Sequence, residues 1–99
     1  MIQPSRPAPP SRLSSRTAEL AGAVRERREE LGLRQSELAD LAGCSERFVH
    51  TVEHGKTSLR LDKLLDVLEV LGFDLQVTAG GGRIGWVRLD ARGNTGEAR

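Results

Sequence analysis

The sequence lacks a pair of cysteines, a long apolar run and a large net charge. Its one cysteine, Cys44, cannot form a disulfide within the chain. No apolar run is long enough for a signal peptide or a membrane span, so we expect a cytoplasmic protein with no membrane contact. Because 15 basic side chains nearly balance 14 acidic ones, the total charge favours no particular class of partner.

The chain is also short, and it lacks proline beyond residue 10. Its 99 residues correspond to one ordinary domain without a large catalytic cleft, so we predict that it is not an enzyme and needs no cofactor or metal. The four prolines lie among serines and arginines, which predicts a disordered arm over residues 1–14. Residues 1–16 contain three arginines and no acid, whereas residues 61–82 contain one lysine and four acids. Only the first of these two segments suits phosphates.

Four segments with helical periodicity follow the arm. Their predicted bounds are about 15–31, 35–42, 46–54 and 61–71. Ser45 is a favoured N-cap for the third helix, because its hydroxyl can accept a backbone N–H. The fourth helix carries leucines at steps of three and four, which should close the core. The four helices predict one helical domain over residues 15–72.

After the fourth helix the hydrophobic period changes from about 3.6 to 2. Alternating apolar and polar residues predict a strand over residues 73–77. A second, weaker strand is predicted within residues 83–89, after three glycines, and residues 90–99 should be a disordered tail. We therefore predict a mainly α fold, in which a C-terminal β segment over residues 73–89 serves dimerisation or partner contact.

The second and third helices have the small residues that a helix-turn-helix needs. Such a unit lays its second helix in the major groove of DNA, while its first helix braces the second against the phosphate backbone. A small residue is needed where the two helices cross, and Ala39 stands there. The turn needs a residue that tolerates positive φ, and Gly43 stands there.

The run LRQSELADLAGCSERFVHTVEHGK resembles the phage-repressor (Cro/CI, or Xre) helix-turn-helix family, and residues 17–72 fit the helical domain of that family. The resemblance implies that four residues of the third helix read base edges: Glu46, Arg47, His50 and Thr51. It implies that four residues contact DNA phosphates: Arg34, Gln35, Ser45 and Lys56. It also implies an inward-facing structural ion pair between Arg28 and Glu53.

The chemistry of these side chains suits the implied roles. Arg47 is the best single base reader, because its two donors match guanine O6 and N7, and Glu46 can accept from cytosine N4. Phe48 departs from the small polar residue usual at its position, so it either contacts a thymine methyl or packs inside. Residues 34–60 contain four basic and four acidic side chains, so one copy should bind DNA weakly.

Because one copy should bind weakly, dimerisation or the basic arm must add affinity. We predict a nucleoid-associated homodimer on a palindromic operator in double-stranded DNA, with half-sites about 34 Å apart. We expect residues 73–77 to pair across the dimer axis. The predicted dimer or partner contacts are Phe73, Leu75, Val77 and Trp86. Residues 83–89 pair either within the chain or between chains, and the arginines of the arm are either solvated or contact the minor groove.

A catalytic alternative comes from His50-Thr51-Val52-Glu53-His54, which has the H-x-x-E-H form of a zinc-metallopeptidase class. Gly55 ends this helix within one residue and the domain is too small, so we interpret the motif as a coincidence. Cys44 could be a redox switch or a metal ligand, but at an apolar position it is interpreted as a small buried hydrophobe.

The strand directly after the last helix resembles the HipB-like antitoxins. That narrower resemblance implies the antitoxin of a type II toxin-antitoxin system, which represses its own operon and neutralises a HipA-like serine/threonine kinase toxin. The alternatives are a stand-alone phage-type repressor, or a protein-interaction adaptor that keeps the fold without binding DNA.

Overall fold

The structure is a computed structural model that describes the backbone of residues 9–87 and the side chains of residues 16–87. Four α-helices make up its regular structure: α1 (Pro9–Glu30), α2 (Gln35–Ala42), α3 (Glu46–Glu53) and α4 (Leu61–Leu71). The mainly α fold predicted from the helical periodicities is therefore confirmed. Within the described part of the chain, no helix is long and apolar enough to cross a membrane.

Helix α1 begins earlier than the sequence predicts. Its first residue is Pro9, so residues 9–14, which were assigned to the disordered arm, are helical instead. Proline lacks only a backbone N–H that the first helical turn leaves unpaired, and its fixed φ suits a helix start, so Pro9 and Pro10 are compatible with this position. Residues 1–8 of the predicted arm and residues 90–99 of the predicted tail lie outside the described residues.

The turn between α2 and α3 is built from local signals. Gly43 has a φ of 73°, and the N–H groups of Gly43 and Cys44 donate to the carbonyls of Asp40 and Ala39. This left-handed ending satisfies carbonyls that the last turn of α2 would otherwise leave unpaired. Ser45 then begins α3, because its Oγ accepts a hydrogen bond from the backbone N–H of Phe48 at 3.0 Å.

The hydrophobic core lies between the helices, where α1 and α2 each pack against both α3 and α4. Its largest fully buried side chains are Leu38, Leu71, Val24, Val49, Val52 and Val67. Each such side chain contributes about 1.5–3 kcal/mol of burial free energy. Leu61 and Leu65 of α4 were expected in the core from the leucine spacing, yet they are 57% and 43% exposed.

The predicted strands over residues 73–77 and 83–89 are not formed within the described residues, which end at residue 87. A strand needs a neighbouring backbone as its partner, and three glycines set the register of an intrachain hairpin poorly. The two segments do approach each other, because the rings of Phe73 and Trp86 lie 5.9 Å apart. Pairing of residues 73–77 between two copies stays a prediction.

Two glycine-to-alanine substitutions should change stability in opposite directions. Gly22 lies inside α1, where an added Cβ meets nothing within 4 Å, so Gly22→Ala should stabilise the fold by about 0.5–1 kcal/mol. Gly43 is equally open, but its positive φ should make Gly43→Ala cost about 1–2 kcal/mol. Thermal denaturation followed by circular dichroism measures both changes. A Gly43→Ala protein as stable as wild type would contradict the left-handed turn.

Candidate nucleic-acid interface

Helices α2 and α3 are held at a close crossing by small and apolar side chains. Ala39 of α2 is only 2% exposed and belongs to the same buried cluster as Val49 and Val52 of α3. Phe48 is half-buried and packs against this cluster, which favours the packing role over the thymine contact. The turn of residues 43–45 therefore leaves α3 with one face in the core and one face in solvent.

The exposed face of α3 carries the predicted base readers. Glu46, Arg47 and His50 are exposed, and Thr51 is half-buried with its hydroxyl donating to the Arg47 carbonyl at 2.8 Å. Glu46, Arg47 and His50 border a shallow depression together with Gln35, the first residue of α2. The structure thus brings three predicted base readers and one predicted phosphate contact onto one surface.

The other predicted phosphate contacts do not line this depression. Arg34 is the exposed N-cap of α2, and its backbone N–H donates to the Glu37 carboxylate at 2.8 Å. Ser45 is the exposed N-cap of α3, and Lys56 is exposed two residues after the His54 C-cap. The side chains of Arg34, Ser45 and Lys56 are therefore exposed, while one backbone N–H at the start of each helix is already bonded within the chain.

A buried carboxylate connects this surface to the scaffold. Glu53 is 3% exposed and accepts two hydrogen bonds from Arg28 of α1, from Nε at 2.6 Å and from Nη2 at 2.9 Å. Gln35 Nε2 donates to the same carboxylate at 3.0 Å. Arg28 Nη1 also donates to the Leu33 carbonyl at 2.9 Å. One carboxylate therefore ties together α1, the start of α2 and the end of α3.

The environment of Glu53 keeps this carboxylate ionised. Burial by itself would raise the pKa of Glu53, because it disfavours the charged form. Hydrogen bonds from Arg28 and Gln35 and the positive charges of Arg28 and Arg25 outweigh burial, so the pKa of Glu53 lies below the ordinary value. The paired Glu53 carboxylate raises the pKa of Arg28 in turn, although burial acts in the opposite direction.

Sequence reasoning missed Arg25 as a member of this network. Its Nη2 donates to the Glu53 backbone carbonyl at 3.2 Å, and its Nε lies 3.7 Å from Glu53 Oε1. The available signal was its position three residues before Arg28, which places both arginines on one face of α1.

The zinc-peptidase motif does not assemble in this fold. Glu53, its required general base, faces inward and is already bound to Arg28 and Gln35. His50 and His54 instead stack on the outside of α3, with ring centroids 3.9 Å apart. Within the described residues, no group of three or more His, Cys, Asp or Glu side chains could hold a metal ion.

Cys44 has the environment of a packing residue. It is half-buried and packs against the core cluster at the end of the turn. Burial raises the pKa of the Cys44 thiol, and Asp66 acts in the same direction against the opposing charge of Lys63. A raised thiol pKa lowers the thiolate fraction, which favours the packing role over the redox role for this cysteine.

Comparisons with known proteins agree with this geometry. A sequence profile described as "Helix-turn-helix domain" matches residues 19–79. The uncharacterized HTH-type transcriptional regulator y4mF of Sinorhizobium fredii is 41% identical over 66 residues, which cover 67% of this chain and 87% of that protein.

Solved structures share the fold. The restriction-modification controller protein C.AhdI from Aeromonas hydrophila matches with a TM-score of 0.55 and 28% identity, over 62% of this chain and 88% of that chain. A chain of the HipA-HipB-O2-O3 complex matches with a TM-score of 0.59 and 23% identity, over 66% of this chain and 92% of that chain.

Glu53→Gln should destabilise the fold strongly, because it leaves the Arg28 guanidinium without a counter-charge inside the protein. Breaking one partner of a buried pair commonly costs about 3–5 kcal/mol. Glu30→Gln is the matched control, since Glu30 pairs with Arg27 at 3.2 Å on the exposed surface of α1 and should contribute less than about 1 kcal/mol. Denaturant unfolding at pH 7 measures both variants, and equal midpoints for Glu53→Gln and wild type would exclude a buried pair.

The same variant should change the response to acid. Because the folded-state pKa of Glu53 is lowered, its stabilisation is fully present above about pH 4.3, the pKa of an unperturbed glutamate, and is lost as pH falls through the folded-state pKa. Wild type should therefore lose stability more steeply than Glu53→Gln below that pH. Parallel melting curves against pH for the two proteins would contradict the lowered pKa.

Proposed function

The chain belongs to the helix-turn-helix family of transcriptional regulators, and we propose that it represses transcription as a homodimer on a two-fold symmetric operator. In this proposal α3 enters the major groove and α2 braces it against the phosphate backbone. The observation that carries the proposal is the depression where Glu46, Arg47 and His50 of α3 meet Gln35 of α2.

The base readers differ in the chemistry that they offer. Arg47 is exposed and can donate two hydrogen bonds to guanine O6 and N7, and Glu46 can accept from cytosine N4. The Thr51 hydroxyl hydrogen is engaged by the Arg47 carbonyl, which leaves the Thr51 methyl group for contact with a thymine methyl. His50 supplies a ring nitrogen to a base edge.

The phosphate contacts depend on oriented donors. One N–H of the Gln35 amide is bonded to Glu53, so we assign the second N–H of this amide to a phosphate. Arg34 is an exposed cation at the N-cap of α2, and Lys56 is an exposed cation two residues after the C-cap of α3. Ser45 at the start of α3 contributes its hydroxyl and the positive end of the helix dipole.

Two features support the proposed dimer: the balanced charge of residues 34–60 and the exposed apolar residues after α4. In one copy Leu75 is 48% exposed and Val77 is 97% exposed. We propose that residues 73–77 of two copies pair as antiparallel strands, which buries these side chains and supplies partners for the backbone groups. Two weak half-site contacts then act together and bind one operator tightly.

We further propose that the regulator is the antitoxin of a type II toxin-antitoxin system with a HipA-like serine/threonine kinase as its partner. The strand pattern after α4 and the fold shared with a chain of the HipA-HipB-O2-O3 complex support this narrower role. Copurification of the tagged chain with the kinase-like product of the adjacent reading frame tests it. An operon without any kinase-like gene would contradict the antitoxin role and leave the repressor role intact.

Arg47→Ala and Lys56→Ala should separate base reading from phosphate binding. Arg47→Ala should cost about 1–3 kcal/mol for each operator contact and relax specificity at one guanine in each half-site. Lys56→Ala should weaken binding to operator and random DNA alike and lower the salt dependence of binding. Fluorescence anisotropy with both DNAs at two salt concentrations measures these effects. Equal losses of affinity for operator and random DNA in Arg47→Ala would contradict its base-reading role. If the wild-type chain binds neither DNA, the adaptor alternative is favoured.

Leu75→Pro should abolish the dimer and lower operator affinity together, because proline removes one ladder donor from the proposed strand. Leu75→Ala is the control, since it shortens the side chain and keeps the backbone N–H. Sedimentation gives the mass, and circular dichroism checks that α1–α4 stay folded. A Leu75→Pro protein that remains dimeric and binds the operator normally would exclude the strand as the dimer contact.

A further inference from the structure

We propose that His50 and His54 form a binding site for a divalent transition-metal ion at the exposed end of α3, and that an ion bound there opposes operator binding. The metal site stands on the geometry of the two rings. The antagonism also rests on the proposed function, because it uses the role of His50 in reading bases.

The two imidazoles stack against each other on the outside of α3. The lone pair of a ring nitrogen lies in the ring plane, so both rings bind one ion when His50 turns and His54 keeps its hydrogen bond. Their ring centroids lie 3.9 Å apart with a tilt of 30°, and both side chains are exposed. They are four residues apart at the end of α3, so they project from the same face. Two histidines with this spacing on one helical face are an established arrangement for binding zinc, and imidazole also suits copper and nickel.

A hydrogen bond prepares one of the rings as a ligand. Nδ1 of His54 lies 2.9 Å from the backbone carbonyl oxygen of His50. A carbonyl can only accept, so Nδ1 carries the proton in the neutral ring and Nε2 keeps its lone pair. Metal-ligating histidines commonly donate their other N–H to a backbone carbonyl, which fixes the tautomer and the ring orientation.

The surroundings indicate an exchangeable ion without a catalytic role. Glu53 is held inside by Arg28 and Gln35, so it contributes neither a ligand nor a general base. No third protein ligand stands beside the two rings in the part of the chain that the structure describes. The ion would complete its coordination with water and remain in exchange with solvent.

The position of the pair sets the expected consequence. His50 borders the depression that also contains Gln35, Glu46 and Arg47. An ion bound to His50 would occupy the ring nitrogen that is proposed to contact a base. It would also place a hydrated cation beside this depression. Lys56 and Arg34 lie outside that depression, so binding to phosphates should be reduced much less than base reading.

The composition leaves few competing metal ligands. His50 and His54 are the two histidines of the chain, and Cys44 is its one thiol. Calorimetric titration of the full chain with Zn²⁺ alone should give one ion per chain, and the electron paramagnetic resonance spectrum of bound Cu²⁺ should show two nitrogen ligands. His54→Ala should weaken Zn²⁺ binding at least tenfold, whereas Cys44→Ala should leave it unchanged. Absence of Zn²⁺ binding, or binding that depends on Cys44 alone, would overturn the site.

The antagonism is tested with His54→Ala, since His54 has no assigned DNA contact. In EDTA this variant should bind the operator as wild type does. Each wild-type chain must release its ion before it binds the operator. Zn²⁺ at ten times its dissociation constant should therefore lower the operator affinity of wild type about tenfold for each chain. The affinity of wild type for random DNA should change little, and the operator affinity of the variant should not change. Unchanged or increased wild-type affinity in Zn²⁺ would overturn the antagonism. Failure of wild type to bind any operator in EDTA would overturn the antagonism together with the proposed function, and the calorimetric titration would still decide the metal site.

Discussion

The arrangement of the first three helices depends on the Glu53 carboxylate, which has no exposed side-chain surface. A buried charge is costly unless hydrogen bonds and an opposite charge satisfy it. Arg28 supplies two hydrogen bonds from α1, and Gln35 supplies one from α2. Because apolar packing has no preferred direction, we infer that these bonds fix the rotation of α3 within the core.

That rotation decides which residues of α3 reach solvent, so the buried network and the exposed surface belong to one arrangement. Gln35 contacts Glu53 on one side and borders the depression with Arg47 and His50 on the other. A substitution at Glu53 therefore acts on stability and on the position of a proposed phosphate contact. Stability and DNA binding need to be measured on the same variants, because a loss of affinity alone does not separate these two effects.

Features set by neighbouring residues could be predicted from the sequence. Gly43 is required by a positive φ, and Ser45 is favoured by a backbone N–H three residues ahead, so the turn between α2 and α3 could be located. The predicted start of α1 was wrong. Proline breaks a helix at most positions, but it is compatible with the first turn, where α1 has Pro9 and Pro10. The contact of Arg25 with Glu53 joins residues 28 positions apart, and the spacing of Arg25 and Arg28 on one face of α1 does not by itself identify that partner.

The resemblance to known repressors predicted the buried residues beside the candidate site better than helical periodicity did. Periodicity alone assigned Leu61 and Leu65 to the core, because both fit steps of three and four, but Leu61 opens α4 and Leu65 lies at the edge of its buried face. The family register, in contrast, assigned Arg28 and Glu53 an inward-facing pair from residue types that are seldom buried. In the structure these two residues contact each other at 2.6 Å. A family resemblance that matches many positions at once implies contacts between helices, whereas the periodicity of one helix shows only which of its faces is apolar.

The segment after α4 has the apolar alternation of a strand but forms no strand in the described residues of one copy of the chain. Phe73 packs against the core and contacts Trp86, so the first position of the apolar alternation is covered within the chain. The next two positions of the same alternation, Leu75 and Val77, remain exposed, as does Val87. An alternation with a period of 2 is typical of a strand, in which alternate side chains face one side together. These exposed apolar positions and the equal number of acids and bases between residues 34 and 60 are the two features on which the proposed dimer rests.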